Sequence, residues 1–369
     1  MRLTSSLPLV ALVTSALLAL SGCQPGSYQE SKLPETLAGD RAELSDVTFL
    51  ENPRDYVGAS TALLGPLTLT PLVSKPAQEL PVVVDSDELG KPLSVTVSST
   101  KRLLALDMSG SLAAMVWALG FGENLVGRDI STTFPGSDEL PVVTGSGHAI
   151  SPESVLALRP DLIITDGTIG PLDVVLQLRE AGIPVVFVRE TPGLSAPAAM
   201  ATSLGEILGV SELGVELATS LTASITSVGA VIAEKAPQAQ ADKLRMVFLY
   251  LRGGNGIYYL FGEESGSGDL IEALGGIDIA TETGWTGLRP MTDEALVAAN
   301  PDLILVMSEG LASVGGVEKL IEAKPALGLT RAGINRRFVD MADAQVLSFG
   351  PRTPEIMDAL ARAIYSPGQ

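Results

Sequence analysis

Histidine and cysteine are almost missing from this chain: its 369 residues contain one of each, His148 and Cys23. One histidine excludes a transition-metal site built from several imidazoles. One cysteine excludes an intramolecular disulfide. Positive charge is also scarce, with 24 basic against 43 acidic side chains and a net charge of −19. A field of that sign repels nucleic acid, which removes that class of partner. No Gly-x-Ser-x-Gly elbow and no Walker loop occurs, and Asp166 and Asp302 form no legible acid–base pair, so no enzyme is expected. Apolar residues make up 46% of the chain, ample for a large core, and the length allows about two domains.

The N-terminus opens with Met1-Arg2, an apolar run from Leu7 to Leu20, and Leu20-Ser21-Gly22-Cys23. A positive start, a short apolar core and small residues before a cleavage point read as a signal peptide over residues 1–22. The four residues ending at Cys23 resemble a bacterial lipobox, which implies a diacylated Cys23 as the first mature residue and a domain tethered outside the membrane. No later stretch reads as long and apolar enough to span. Residues 23–78, rich in Pro, Gly, Ser, Thr and acids, read as a tether with some local structure.

Strand-like runs follow at Leu80–Val84 and Leu93–Val97. From about residue 101 short strands alternate with helices: strands at Lys101–Leu106, Leu162–Thr165 and Pro184–Val188, helices at Ser109–Leu119, Ser151–Leu158, Pro171–Ala181 and Ala196–Leu208. Ser151 is placed as an N-cap with Pro152 at the first helical position. Such βαβ units predict a mostly parallel sheet covered by helices. A longer helix is expected over Ser211–Lys235, where Leu217, Leu221, Ile225, Val228 and Ile232 form one stripe. About 25 residues reach roughly 37 Å, enough to link two lobes. Beyond it, strands at Leu244–Leu251 and Ile257–Phe261 flank Asn255-Gly256, a strong hairpin signal.

The two halves repeat. Ser151-Pro-Glu-Ser-Val-Leu-Ala-Leu-Arg-Pro-Asp-Leu-Ile-Ile164 matches Thr292-Asp-Glu-Ala-Leu-Val-Ala-Ala-Asn-Pro-Asp-Leu-Ile-Leu305, aligning Glu153 with Glu294 and Pro160 with Pro301. The expected architecture is therefore α/β: two similar lobes with mostly parallel sheets, residues 79–210 and 237–369, joined by one helix over 211–236. A ligand cleft is expected between them. The motif Pro-Glu-x-Val-Leu-Ala-Leu-x-Pro-Asp-Leu-Ile resembles the N-lobe signature of the substrate-binding proteins for siderophores, vitamin B12 and haem that feed ABC importers. The resemblance covers roughly residues 100–369. It implies lobes that move little and one exposed glutamate per lobe, here Glu153 and Glu294, docking onto permease arginines. Both glutamates are also favoured as first-turn acids by the helix macrodipole alone.

His148 and Arg289 each lie five residues before their glutamate, so the repeat sets an imidazole and a guanidinium at the mouths of the two lobes. Tyr250 and Arg252, two apart on a strand, share a face. A cation beside a phenol favours the phenolate, and tyrosine and histidine are both axial ligands of haem iron. Gly147-His148 before the Ser-Pro-Glu helix and Tyr250-Leu-Arg-Gly-Gly-Asn-Gly256 resemble the haem-receptor lipoproteins of Gram-positive haem importers, the HmuT type. That resemblance implies iron held between His148 and Tyr250, with Arg252 on the tyrosine. Arg289 is a candidate partner for a propionate, and Met307 and Trp285 are candidates to pack on the porphyrin. The expected function is a monomeric, lipid-anchored extracytoplasmic receptor that captures haem for an ABC permease. The rivals are a ferric siderophore or corrinoid on the same fold, which leave His148 unexplained, and a zinc or manganese receptor, which needs more ligands than this chain has.

Overall fold

The structure is a computed structural model and describes residues 41–65, 69–88, 91–189, 192–251 and 258–368. Cys23, residues 1–22 read as a signal peptide, Arg252 and the residues read as an Asn255-Gly256 turn lie outside the described residues. Leu33–Gln369 form one compact unit.

Among the described residues, twelve strands build three sheets. Strand β1 (Ser60–Ala62) is followed by an antiparallel hairpin of β2 (Val82–Glu88) and β3 (Lys91–Val97). Next, β4 (Leu103–Leu106), β5 (Leu162–Thr165) and β6 (Val185–Phe187) form a parallel N-lobe sheet in that order. Their residues are apolar on both faces, as expected where helices cover both sides. Leu103, Ala105, Leu162 and Ile164 enter one core with helices α1 (Ser111–Val116) and α4 (Ala196–Ile207). Leu104, Leu106 and Ile163 enter another with α2 (Pro152–Leu158) and α3 (Leu172–Glu180). Helix α1 starts at Ser111 rather than Ser109 because Asp107 accepts from Ser111 N–H at 2.9 Å and Leu112 N–H at 3.1 Å.

The C-lobe sheet combines β7 (Arg245–Leu251), β8 (Tyr258–Leu260), β9 (Ile277–Asp278), β10 (Arg289–Pro290), β11 (Leu303–Met307) and β12 (Phe338–Met341) with β1. Its path is β1-β12-β11-β7-β8-β10, with β9 beside β7; both pairings of β8, to β7 and to β10, are antiparallel and the other pairings are parallel.

Helix α5 (Ser211–Lys235) joins the lobes over the span expected from the sequence. Its stripe is shared between two cores: Leu217 and Leu221 belong to the N-lobe core, Ile225, Val228 and Ile232 to the C-lobe core. By length and composition alone this helix is apolar enough to cross a membrane, so the expectation that no later stretch qualifies is corrected. Its buried stripe is committed to the two cores. On its other side Thr219, Thr222 and Thr226 hydroxyls donate to carbonyls one turn back, which satisfies these polar groups within the helix.

Of the segment 23–78, read as a tether with some local structure, the described residues from Arg41 onward pack against the lobes. Strand β1 pairs in parallel with β12, and Leu50 N–H donates to the Tyr365 carbonyl at 2.7 Å. Further on, Trp117 Nε1 donates to the Leu69 carbonyl and Leu72 N–H to that of Ala118. A side chain at Gly120 would collide with the Val73 carbonyl, so this extension fits closely on the end of the first N-lobe helix.

The repeat extends into backbone conformation. Ser151 and Thr292 cap their helices, accepting from Ser154 N–H and Ala295 N–H. Arg159 and Asn300 end them in the left-handed region, at φ 47° and 43°. Asparagine tolerates that conformation and arginine does not. Arg159→Gly is expected to stabilise the protein by about 0.5–1 kcal/mol, read from the urea midpoint, and Asn300→Gly by less.

Candidate functional site

Both parallel sheets end at the same kind of place. Asp107 and Asp166 follow β4 and β5, while Tyr250 and Met307 lie at the ends of β7 and β11. The carboxyl ends of strands are where open α/β sheets bind ligands.

His148 sits at the tip of a short loop. The loop is closed by pairing of Thr144 with Ile150 and by Gly145 N–H donating to the Ala149 carbonyl at 2.8 Å. Gly147 and His148 turn the tip with φ 71° and 59°, a conformation that costs a histidine roughly 1–2 kcal/mol. The imidazole is one-quarter exposed, and its Nδ1 lies 3.1 and 3.2 Å from the two oxygens of Asp129, which is wholly buried. Asp129 also accepts from Ser131 N–H and the Thr144 hydroxyl, each at 2.6 Å. Burial opposes ionisation of Asp129, but the hydrogen bonds from His148, Thr144 and Ser131 outweigh it and hold its pKa low. The bond to Asp129 raises the pKa of His148 against the opposing effect of burial.

Asp107 stands behind this pair. Burial, with the negative charge of Asp166 adding to it, pushes its pKa up to about 6. A carboxyl raised in the folded state contributes stability that is full below its unfolded value and is lost as pH rises through about 6. Asp107→Asn is therefore expected to gain on the wild type as pH rises from 4 to 7, by up to about 3 kcal/mol in urea unfolding. A stability difference that stays flat over that range would contradict it.

In the C-lobe, Tyr250 is half-buried. Its ring lies 6.4 Å from Tyr259, its partner across β7 and β8, and 6.0 Å from Phe261. The register of β11 on β7 places Met307 beside Tyr250 on the same face of the sheet, where Met307 packs against the C-lobe core. Arg289 is exposed in β10 with its guanidinium 4.8 Å from the Trp285 ring centre. The indole is thus already stacked on a cation, and its Nε1 is buried with no hydrogen-bond partner among the described residues. Glu153 and Glu294 are exposed at the second position of their helices.

The fold brings Trp285 and Arg289 together, and Tyr250 beside Met307. It keeps His148 on the other lobe from all four. Sequence reasoning missed Asp129, 19 residues before its partner in an irregular loop with no motif around it. It also missed three exposed apolar side chains next to site residues: Met108 after Asp107, Ile130 after Asp129 and Leu288 before Arg289. Single apolar residues in polar loops carry no periodic signal. A small cavity of about 30 Å³ between the lobes is lined by Ser109, Ser131, Phe134, Gln345 and Arg352. Among the described residues, no group of three or more His, Cys, Asp or Glu is arranged to hold a metal ion.

Ligand-type side chains at the carboxyl ends of two sheets, on lobes linked by one helix, fit a two-lobed solute receptor. The chain belongs to the periplasmic binding protein family, whose model matches residues 108–344. It is similar to the crystal structure of the haem-binding protein HmuT, with 35% identity and a TM-score of 0.78 over 85% of this chain and 99% of that one. It is 27% identical over 289 residues to the uncharacterised ABC transporter substrate-binding lipoprotein YvrC of Bacillus subtilis (strain 168), covering 77% of this chain and 86% of the relative. It is also 25% identical over 272 residues to the cobalamin-binding protein of Halobacterium salinarum (strain ATCC 29341 / DSM 671 / R1), covering 73% and 70%.

Proposed function

We propose that this protein captures haem outside the cytoplasm and delivers it to the permease of an ABC importer, held at the membrane by lipid on Cys23. The observation that carries the reading is the donor set. One lobe offers a single imidazole braced by a buried carboxylate, and the other offers a phenol near the carboxyl end of a sheet strand. Two axial positions are what porphyrin-bound iron needs, since the macrocycle supplies four nitrogens of its own. His148 and Tyr250 are the proposed iron ligands, with Arg252, two positions on in the sequence, as the proposed partner of the tyrosine. Arg289 would meet a propionate, its guanidinium oriented by Trp285, while Met307, Met108 and Ile130 would pack on the porphyrin. Similarity to HmuT supports the ligand, and similarity to YvrC supports the lipoprotein and transporter role.

The test is the visible spectrum of the chain from residue 24 onward, titrated with haemin. A Soret band that shifts in His148→Ala and in Tyr250→Phe supports the reading, and absence of binding at micromolar haemin sinks it. Similarity to a cobalamin-binding protein favours a corrinoid as the second reading. Tight binding of cyanocobalamin, with none of haemin, would establish that instead.

A further inference from the structure

We infer that Asp129 is the positioning residue of the His148 ligand: its carboxylate accepts a hydrogen bond from Nδ1–H, which keeps the proton on Nδ1 and leaves the imidazole lone pair on Nε2. The iron part of this inference rests on the haem reading; the tautomer part does not.

The hydrogen bonds leave Asp129 little choice of role. Its side chain has no solvent exposure. Oδ1 accepts from Ser131 N–H, a backbone group that can only donate. Oδ2 meets the Thr144 hydroxyl, whose own lone pair already accepts from Ile130 N–H at 3.0 Å, so that its hydrogen points to Asp129. Nδ1 of His148 lies astride both oxygens. A carboxylate that receives donors on each oxygen is an acceptor throughout, so the third neighbour must donate as well. In a neutral imidazole one nitrogen donates and the other accepts. Nδ1–H therefore leaves Nε2 as the nitrogen that can bind a metal. The backbone supports the same geometry, because the closed loop holds His148 at a positive φ that histidine rarely adopts. A buried carboxylate on the far nitrogen also makes the ligand more basic.

A chain with one histidine allows a direct test. Nitrogen-15 NMR of the imidazole, at alkaline pH where the ring is neutral, has one pair of ring nitrogens to assign. In the wild type the proton is expected on Nδ1. Asp129→Asn keeps the size of the side chain and its carbonyl for Ser131 N–H, but turns an amide N–H toward Nδ1. The ring is then expected to carry its proton on Nε2, where it blocks iron. With haemin, the Asp129→Asn spectrum should coincide with that of His148→Ala, and the affinity should fall about 10–100-fold. In a His148→Ala background, Asp129→Asn should change neither.

An Nε2–H wild type overturns the inference, and that measurement stands even if the variant does not fold. A folded Asp129→Asn protein that keeps Nδ1–H, or keeps the wild-type Soret band, also overturns it. Equal losses with and without His148 would make Asp129 a structural residue only. If the wild type binds no haemin, the haem reading fails while the NMR result still decides the tautomer.

Discussion

Ferric haemin is expected to bind Tyr250→Phe at least about 100-fold more weakly than the wild type, while ferrous haem distinguishes the two far less. Removing a group that only supports a metal ligand already costs about 10–100-fold, so a ligand on the iron should exceed the upper part of that range. A phenolate is a hard, anionic oxygen that offsets the charge of ferric haem. Reduction removes that charge and with it most of the preference. The substitution is narrow because phenylalanine keeps the ring contacts with Tyr259 and Phe261 and loses one oxygen. Tyr250→Ala would open the packing as well and confuse the reading. Equal ferric affinity in the wild type and Tyr250→Phe would remove Tyr250 from the iron. His148 would then be the sole protein ligand, and the two-lobed clamp would be lost.

The parts of this fold that were legible in the sequence are those with a period. The stripe of α5 shows its two-core role only in the structure, yet its length and spacing fix the helix. Strands β5 and β11 follow a Pro-Asp turn in both halves, and their apolar runs leave no alternative to burial. The N-terminal extension was not legible for the opposite reason. Strand β1 has three residues, and its partner β12 lies nearly 280 positions away, so neither propensity nor pattern signals the pairing. The site divides in the same way. His148 is visible because it is the only histidine and its glycines mark a tight loop. Asp129 is invisible because a buried aspartate reads like any other loop acid until the chain brings it under the imidazole. Burial of a charge is costly unless it is paired, and in this fold His148, Thr144 and Ser131 supply the pairing for Asp129.

Replacing both Glu153 and Glu294 by lysine is expected to abolish haem uptake while leaving haemin affinity unchanged. Each glutamate is exposed in the first turn of a short capped helix, and among the described residues neither joins an ion pair. The neighbouring acid in the C-lobe is committed elsewhere: Asp293 accepts from the Tyr258 hydroxyl at 2.6 Å, which leaves Glu294 as the free carboxylate. The N-lobe has Pro152 at the equivalent position, so each lobe presents one free glutamate at the same offset. Two sites at matched positions on two lobes suit a permease with two matching halves. Losing one partner of a close interfacial charge pair costs about 2–5 kcal/mol, so losing both should reduce productive docking by more than about 100-fold. The macrodipole sets the control. Lysine in a first turn costs each helix about 0.3–1 kcal/mol, so the double Glu→Gln variant, which removes charge without reversing it, should give an intermediate loss of uptake. Uptake assayed in cells, beside a haemin titration of each purified variant, separates the two roles. If affinity falls together with uptake, the glutamates serve the pocket; if uptake is unchanged, the two acids are only what the helix dipole favours.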